Sequence, residues 1–297
     1  MNSGFRICAG AMIVSAACLL PVPPAVAQWL DYPTAGVPKN KDGKANLDAP
    51  APRLSDGKPD FSGLWGVADR TPGRTDEWNA IATSPFDAAA QSNSGHISPR
   101  GQVGNIGWTL KDGLPFTPWG AELRKTRIAQ FRKDDPSTKC QPLGAVGMHT
   151  DLMYKKWIQV PGLIAILSER NAEYRQIFTD GRPMLEDPEP TWNGYSTGKW
   201  EGDTLVVHSN GFRDDGWLDR GGSPSTESMK LTERIRRPTY GRLEIEITVD
   251  DPKAYTKPWT VTYAQKLALN NELLGWYCVE NEKDQVHYPG NIPPAAK

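Results

Sequence analysis

Apolar and polar residues alternate with a period of two through the second half of the chain, a pattern typical of half-buried β-strands. In Arg242–Val249, for example, Leu243, Ile245 and Ile247 share one face and charged residues the other. The breaks between such segments carry turn residues, as in Pro161-Gly162, so successive strands are expected to pair antiparallel. The predicted strands are Tyr154–Val160, Leu163–Glu169, Glu173–Thr179, Ser196–Trp200, Thr204–Asn210, Ser228–Arg236, Arg242–Val249, Pro258–Leu269 and Leu273–Glu280.

An earlier strand is predicted at Asp60–Val67, which brings the total to about ten. An open sheet of that size must curl, close or split into two layers. The sequence therefore predicts a mainly β fold, an antiparallel up-and-down barrel, with a β-sandwich as the alternative. The Gly63-Leu64-Trp65 start of this strand resembles the Gly-x-Trp start of lipocalins.

One helix is predicted before the strands, at residues 118–132. Thr117 is a suitable N-cap and Pro118 suits the first helical position, and Trp119, Leu123 and Ile128 contribute to an apolar stripe. Residues 28–59 are predicted to form an extended arm. Residues 60–290 are predicted to form one β domain that includes this helix and a long loop at residues 71–115.

The first 27 residues have the pattern of a signal peptide. Arg6 supplies the positive charge, Ile7–Leu20 the apolar region, and Ala25–Ala27 the small residues before cleavage. A membrane anchor and a lipoprotein anchor at Cys18 are the alternatives. No later segment is long enough to span a membrane as a helix, so a periplasmic or secreted protein is expected.

Two cysteines remain after the predicted signal peptide, Cys140 and Cys278. In an oxidising compartment they are expected to form a disulfide, and two separate buried thiols are the alternative.

Charge and motifs exclude several classes of function. The formal net charge is −1, which argues against a nucleic-acid surface. The sequence contains no dinucleotide or phosphate-binding fingerprint, no nucleophile elbow, and no Cys/His spacing typical of zinc. We therefore predict neither cofactor nor metal, no nucleic-acid partner, and a small-molecule ligand.

Glu233 lies on the predicted inner face of its strand, and Gln265 and Gln176 are also predicted to point inward. A buried carboxylate must be paired or neutralised. Glu233 is therefore either a structural partner of an internal arginine such as Arg175 or Arg182, or an acid–base group lining a cavity.

In the second interpretation the catalytic residues are Glu233, Arg175 and Arg182. Aromatic and polar residues predicted near the interior or at a barrel mouth are the candidate ligand contacts. They are Tyr174, Gln176, Trp200, Trp217, Asp219, Arg234, Tyr263 and Gln265.

Several longer motifs resemble a large group of uncharacterised exported bacterial proteins. They are Phe178–Pro183, Pro190–Ser196, Gly198–Val207, Thr232–Arg234 and Val249–Tyr255. The resemblance implies a lipocalin-like barrel and no particular chemistry. Members of that group carry a His followed by Ser or Thr just before the Thr-Glu-Arg strand, and this chain has Ser225-Thr226 there.

Three functions remain open on the sequence. The first is an enzyme, a lyase, isomerase or hydrolase, acting on a small apolar or aromatic molecule. The second is a non-catalytic periplasmic binding protein with the same interior. The third is an envelope-associated structural protein with a filled core.

Overall fold

The computed structural model describes residues 32–67, 104–107 and 109–278. Nine strands form a closed β-barrel, so the predicted barrel is confirmed. The nine strands are β1 (Gly63–Val67), β2 (Lys155–Val160), β3 (Leu163–Ser168), β4 (Tyr174–Phe178), β5 (Tyr195–Glu201), β6 (Thr204–Asn210), β9 (Lys230–Thr239), β10 (Arg242–Asp250) and β11 (Trp259–Leu267). Two short strands, β7 (Gly216–Trp217) and β8 (Pro224–Ser225), pair with each other outside the barrel.

The barrel is not wholly antiparallel. The order around it is β1-β11-β10-β9-β6-β5-β4-β3-β2, and β4 pairs with β5 in parallel through Phe178 and Thr197. A ring of strands that alternate in direction must have an even number, so nine strands require one parallel pair. The prediction of a tenth strand at Leu273–Glu280 is wrong for the described part of that range. Residues 273–278 contain no strand, and only Trp276 forms an isolated bridge, to Arg170.

Two α-helices accompany the barrel in the described part of the chain, where one was expected. Helix α1 (Pro118–Ala129) begins as predicted, because the Thr117 hydroxyl accepts a hydrogen bond from Gly120 N at 3.1 Å. It ends three residues early, since Phe131 and Arg132 adopt positive φ angles of 55° and 57°. Helix α2 (Gly144–Thr150) was not predicted, and all seven of its residues are buried.

The arm closes one end of the barrel. Tyr240 N and Gly241 N, in the β9–β10 turn, donate to the carbonyl oxygens of Ala49 and Leu47 at 2.7 and 2.8 Å. Next to this turn Phe61 is fully buried, with its ring centroid 5.2 Å from that of Trp200. The arm therefore lies over this end of the barrel, and Phe61 fills the space beside it.

Helix α2 and the segment of residues 211–229 cover the opposite end, which we call the mouth. Helix α1 packs nearby, where Thr117 N donates to Ala254 O at 2.9 Å in the turn that follows β10. The side chains that position the candidate site therefore come from α2, the barrel wall and the 211–229 segment.

Cys140 and Cys278 form a disulfide, which confirms the predicted pair. Asn171 joins the two ends of this link, since its Nδ2 donates to Cys140 O and its Oδ1 accepts from Cys278 N, both at 3.0 Å. The residues after β11 are thereby fixed beside the chain that leads into α2.

Within the described ranges, no helix is long and apolar enough to cross a membrane. The predicted signal peptide, most of the 71–115 loop and the end of the predicted β domain, residues 279–290, lie outside these ranges.

Candidate functional site

Glu233 points into the barrel from the middle of β9 and is fully buried between Val207 of β6 and Ile247 of β10. Arg175 reaches it from β4 across the interior. Arg175 Nη1 donates to Glu233 Oε1 at 2.9 Å, and Nη2 donates to Oε2. The predicted pairing of Glu233 with Arg175 is confirmed, and the two groups meet through two hydrogen bonds.

Two serines accept the remaining hydrogen bonds of the Arg175 guanidinium. Ser196 and Ser209 lie opposite each other on β5 and β6, with their hydroxyl oxygens 2.8 Å apart. Arg175 Nε donates to Ser196 Oγ at 3.3 Å, and Nη2 donates to Ser209 Oγ at 3.0 Å. We call Glu233, Arg175, Ser196, Ser209 and His149 the core polar cluster.

His149 enters the cluster from α2, and sequence analysis missed this role. Its Nε2 lies 2.7 Å from Glu233 Oε1, and its side chain is fully buried. Burial is the main cause that lowers the pKa of His149, so the imidazole is neutral and donates through Nε2. The only sequence signal was that His149 ends a short apolar run, Gly144–Met148, which is typical of a buried segment.

The carboxylate of Glu233 is ionised although it is buried. Burial alone would raise its pKa, but the charge and hydrogen bonds of Arg175, with the hydrogen bond from His149, lower it to about 2. Both oxygens are occupied and the charge is balanced by one guanidinium. This geometry favours a structural role for Glu233 over a role as a general acid, because the ionised carboxylate has no proton to donate.

A second buried charge group lies between α2 and β2. Arg170 Nε and Nη2 donate to the Asp151 carboxylate at 3.1 and 2.9 Å, and Lys155 Nζ lies 3.6 Å from the same group. Burial lowers the pKa of Lys155, whose ammonium also donates to Met153 O at 2.6 Å. Among the described residues no group of three or more His, Cys, Asp or Glu side chains could hold a metal.

Two small pockets flank α2 at the mouth. One, of about 20 Å³, lies on the side of Phe212 and Met229; the other, of about 30 Å³, lies on the side of Pro136 and Asp219. Trp217, Leu143 and Leu218 line both pockets. Glu233 lines neither.

Of the ligand contacts predicted from the sequence, two line these pockets: Trp217 and Asp219. Trp217 also packs under the Arg127 guanidinium, 4.6 Å from the ring centroid. The Asp219 carboxylate is already engaged within the protein. It accepts hydrogen bonds from Ile106 N at 2.9 Å and from the Ser223 hydroxyl at 2.7 Å.

The predicted inner face of β4 is wrong. Arg175 and Ile177 point inward, whereas Tyr174 and Gln176 are exposed on the outside. The inward position of Arg175 is stabilised because Glu233 balances its charge and Ser196 and Ser209 accept its hydrogen bonds. Periodicity had assigned the aromatic face of this strand to the core.

Arg182 and Arg234 also lie outside the barrel. Arg182 pairs with Asp180 and stacks over Phe178, so it is not a partner of Glu233. Arg234 pairs with Glu201 at 3.1 Å on the outer surface.

The other predicted ligand contacts face the interior. Trp200 packs against Phe61 near the arm, away from the mouth. Tyr263 and Gln265 are buried on β11, and the Tyr263 hydroxyl and Gln265 Oε1 have no hydrogen-bond partner among the described residues.

Comparison of the chain with protein-family models gives no match, and no curated protein matches it. The functional argument therefore depends on the geometry of the mouth and the interior.

Proposed function

We propose that this is an exported small-molecule-binding protein that takes a small apolar or aromatic ligand at the barrel mouth. One observation carries the proposal: Trp217 lines two separate pockets, and both lie directly against α2. Aromatic walls at the open end of a barrel are typical of binding sites for small molecules.

The pockets are small, about 20 and 30 Å³, and each accommodates about two water molecules. A ring-sized ligand therefore requires Trp217 to move aside, which would join the two spaces. Trp217 lies on a strand of only two residues, β7, within an irregular segment, so few ladder hydrogen bonds hold it. This placement supports Trp217 as both the contact and the movable wall.

Acid–base catalysis receives less support. Glu233 is ionised and doubly bonded to Arg175, and Arg182 lies outside the barrel with Asp180. Of the two functions that involve a ligand, binding without chemistry fits this arrangement better.

Export remains part of the proposal. The predicted signal peptide and the Cys140–Cys278 disulfide support it together, because structural disulfides persist mainly in oxidising compartments. The lipocalin-like exported group suggested by the sequence motifs is compatible with the closed barrel.

The test is a fluorescence titration with N-phenyl-1-naphthylamine, a small neutral aromatic probe. We expect saturable binding to the wild-type protein and at least tenfold weaker binding to Trp217→Ala, about 1.4 kcal/mol. Trp119→Ala is the matched control, because Trp119 is exposed on α1 and lines neither pocket.

Melting temperatures of both variants establish that they are folded. The proposal is wrong if the wild-type protein does not bind the probe, or if the two alanine variants bind it equally.

A further inference from the structure

His149 and Trp157 lie side by side in the barrel interior, behind α2. Their ring centroids are 6.0 Å apart with an angle of 36° between the planes, and each residue is only 1% exposed. Both rings present a nitrogen, His149 Nδ1 and Trp157 Nε1, that has no hydrogen-bond partner among the described residues.

The chemistry of these two nitrogens follows from the core polar cluster. A carboxylate only accepts hydrogen bonds, so the 2.7 Å contact with Glu233 requires a proton on His149 Nε2. The Arg175 Nη1 contact to the same nitrogen is longer, 3.4 Å, and does not compete with it. In the neutral imidazole, Nδ1 is therefore an acceptor, whereas the Trp157 indole nitrogen is always a donor.

We propose that His149 Nδ1 and Trp157 Nε1 together bind one hydroxyl group, that of a water molecule or of a small alcohol. A hydroxyl donates one hydrogen bond and accepts others, so it satisfies both nitrogens at once. With two hydrogen bonds of about 2.9 Å, one hydroxyl oxygen bridges nitrogens about 5 Å apart, and the centroids of the two rings are 6.0 Å apart.

Other chemical classes fit less well. A carboxylate has no proton to donate to Nδ1, and an ammonium group has no lone pair to accept a hydrogen bond from the Trp157 indole. Phe61 packs edge-on against Trp157, with ring centroids 6.1 Å apart, so this side of the site is apolar. This site is separate from the mouth pockets, which neither residue lines, and it does not depend on the proposed function.

The experiment is NMR on the full chain labelled with ¹⁵N at histidine and tryptophan. We expect the His149 Nδ1 resonance to be shifted upfield from the position of a free imidazole acceptor, and the Trp157 indole proton to be shifted downfield. Trp157→Phe removes the donor while retaining an aromatic ring, and it should return Nδ1 towards the free position.

Trp259→Phe is the control, because Trp259 Nε1 also has no partner among the described residues but its ring packs on Tyr255 instead. It should leave the His149 resonance unchanged. If Trp157→Phe does not fold, the wild-type shifts of both nitrogens still decide the question.

Native mass spectrometry separates the two sources of the hydroxyl. An added mass that the wild-type protein carries and Trp157→Phe lacks identifies an alcohol. No added mass, together with a nuclear Overhauser effect from bound water to the indole proton, identifies water. A His149 Nδ1 resonance at the free position in the wild-type protein, or one that Trp157→Phe leaves unchanged, overturns the proposal.

Discussion

Glu233 is a buried carboxylate flanked on its strand face by the aliphatic side chains of Leu231 and Ile235, so its ionised form is tolerated only with a partner. The structure supplies Arg175 through two hydrogen bonds and His149 through a third. Removal of one member of a buried ion pair leaves an uncompensated charge, which costs more than the pair itself contributes.

A double-mutant cycle tests this coupling. Arg175→Met should lower the free energy of unfolding by about 3–5 kcal/mol, because Glu233 remains charged and buried. Arg175→Met combined with Glu233→Gln should lose less than the sum of the single changes, as measured by urea denaturation. Arg182→Met, which removes a surface partner of Asp180, should leave the urea midpoint unchanged. Equal effects of the two arginine variants would contradict the structural role.

The pH dependence of stability follows from the same residue. Glu233 has a pKa of about 2 in the folded protein against an ordinary value of 4.5, so the folded state binds its proton more weakly than the unfolded state. Its stabilising contribution is therefore complete above the unfolded pKa and is lost as pH falls towards the folded pKa.

The difference in unfolding free energy between wild type and Glu233→Gln should be constant above about pH 5.5 and should decrease steadily towards about pH 2. Urea denaturation across this range measures it. A difference that persists unchanged at the acid end would show that Glu233 is not ionised in the folded protein.

Sequence alone identified the inward position of Glu233, but not the inward position of Arg175. Alternation on β9 is unambiguous, because Leu231 and Ile235 flank Glu233 on one face. On β4 an arginine occupies an inward position and Tyr174 an exposed one, which inverts the usual pattern. The inward position of Arg175 depends on its contact with Glu233, 58 positions away, and local periodicity does not reveal such a contact.

At the scale of elements, local chemistry predicted α1 and failed for α2. Thr117 and Pro118 give α1 a recognisable start. The predicted apolar stripe of α1 is wrong for Trp119, which is 43% exposed, and the residues that the helix buries are Gly120 and Arg124. Helix α2 has seven residues and no side-chain cap, so its formation depends on complete burial at the mouth.

The Thr117 cap provides a test at this scale. Its hydroxyl accepts from Gly120 N and donates to Lys253 O at 2.8 Å, so it stabilises α1 and joins the helix to the turn after β10. Thr117→Ala should cost about 1 kcal/mol in urea denaturation. Thr117→Ser retains the hydroxyl and should be close to wild type. A serine variant as unstable as the alanine variant would assign the effect to the methyl group instead.

At the scale of the whole molecule, turn chemistry predicted which strands are neighbours, but not how the barrel closes. Short turns specified the antiparallel pairs β2–β3, β3–β4, β5–β6 and β9–β10, and the bounds of the predicted strand Thr204–Asn210 agree with β6. The parallel contact between β4 and β5 spans the connection from residue 179 to 194, and no local signal marks it. The β4–β5 pair has a single register position, whereas every other pair in the ring has at least three.

The disulfide affects the stability of the whole molecule, because it joins two positions separated by 138 residues. The enclosed chain contains barrel strands β2 to β11, so the bond restricts the unfolded state of nearly the entire barrel. In the chain-entropy model a loop of this length contributes about 5 kcal/mol.

We expect Cys140→Ser combined with Cys278→Ser to lower the urea midpoint markedly, and a thiol reductant to have the same effect on the wild-type protein. The reductant should not affect the double-serine variant, which is the internal control. Because Asn171 hydrogen-bonds to both cysteine backbones, Asn171→Ala should loosen the same junction without breaking the covalent link. It should therefore destabilise the protein by less than the loss of the bond. If reduction leaves the midpoint of the wild-type protein unchanged, closure of this long loop contributes nothing to the stability of the barrel.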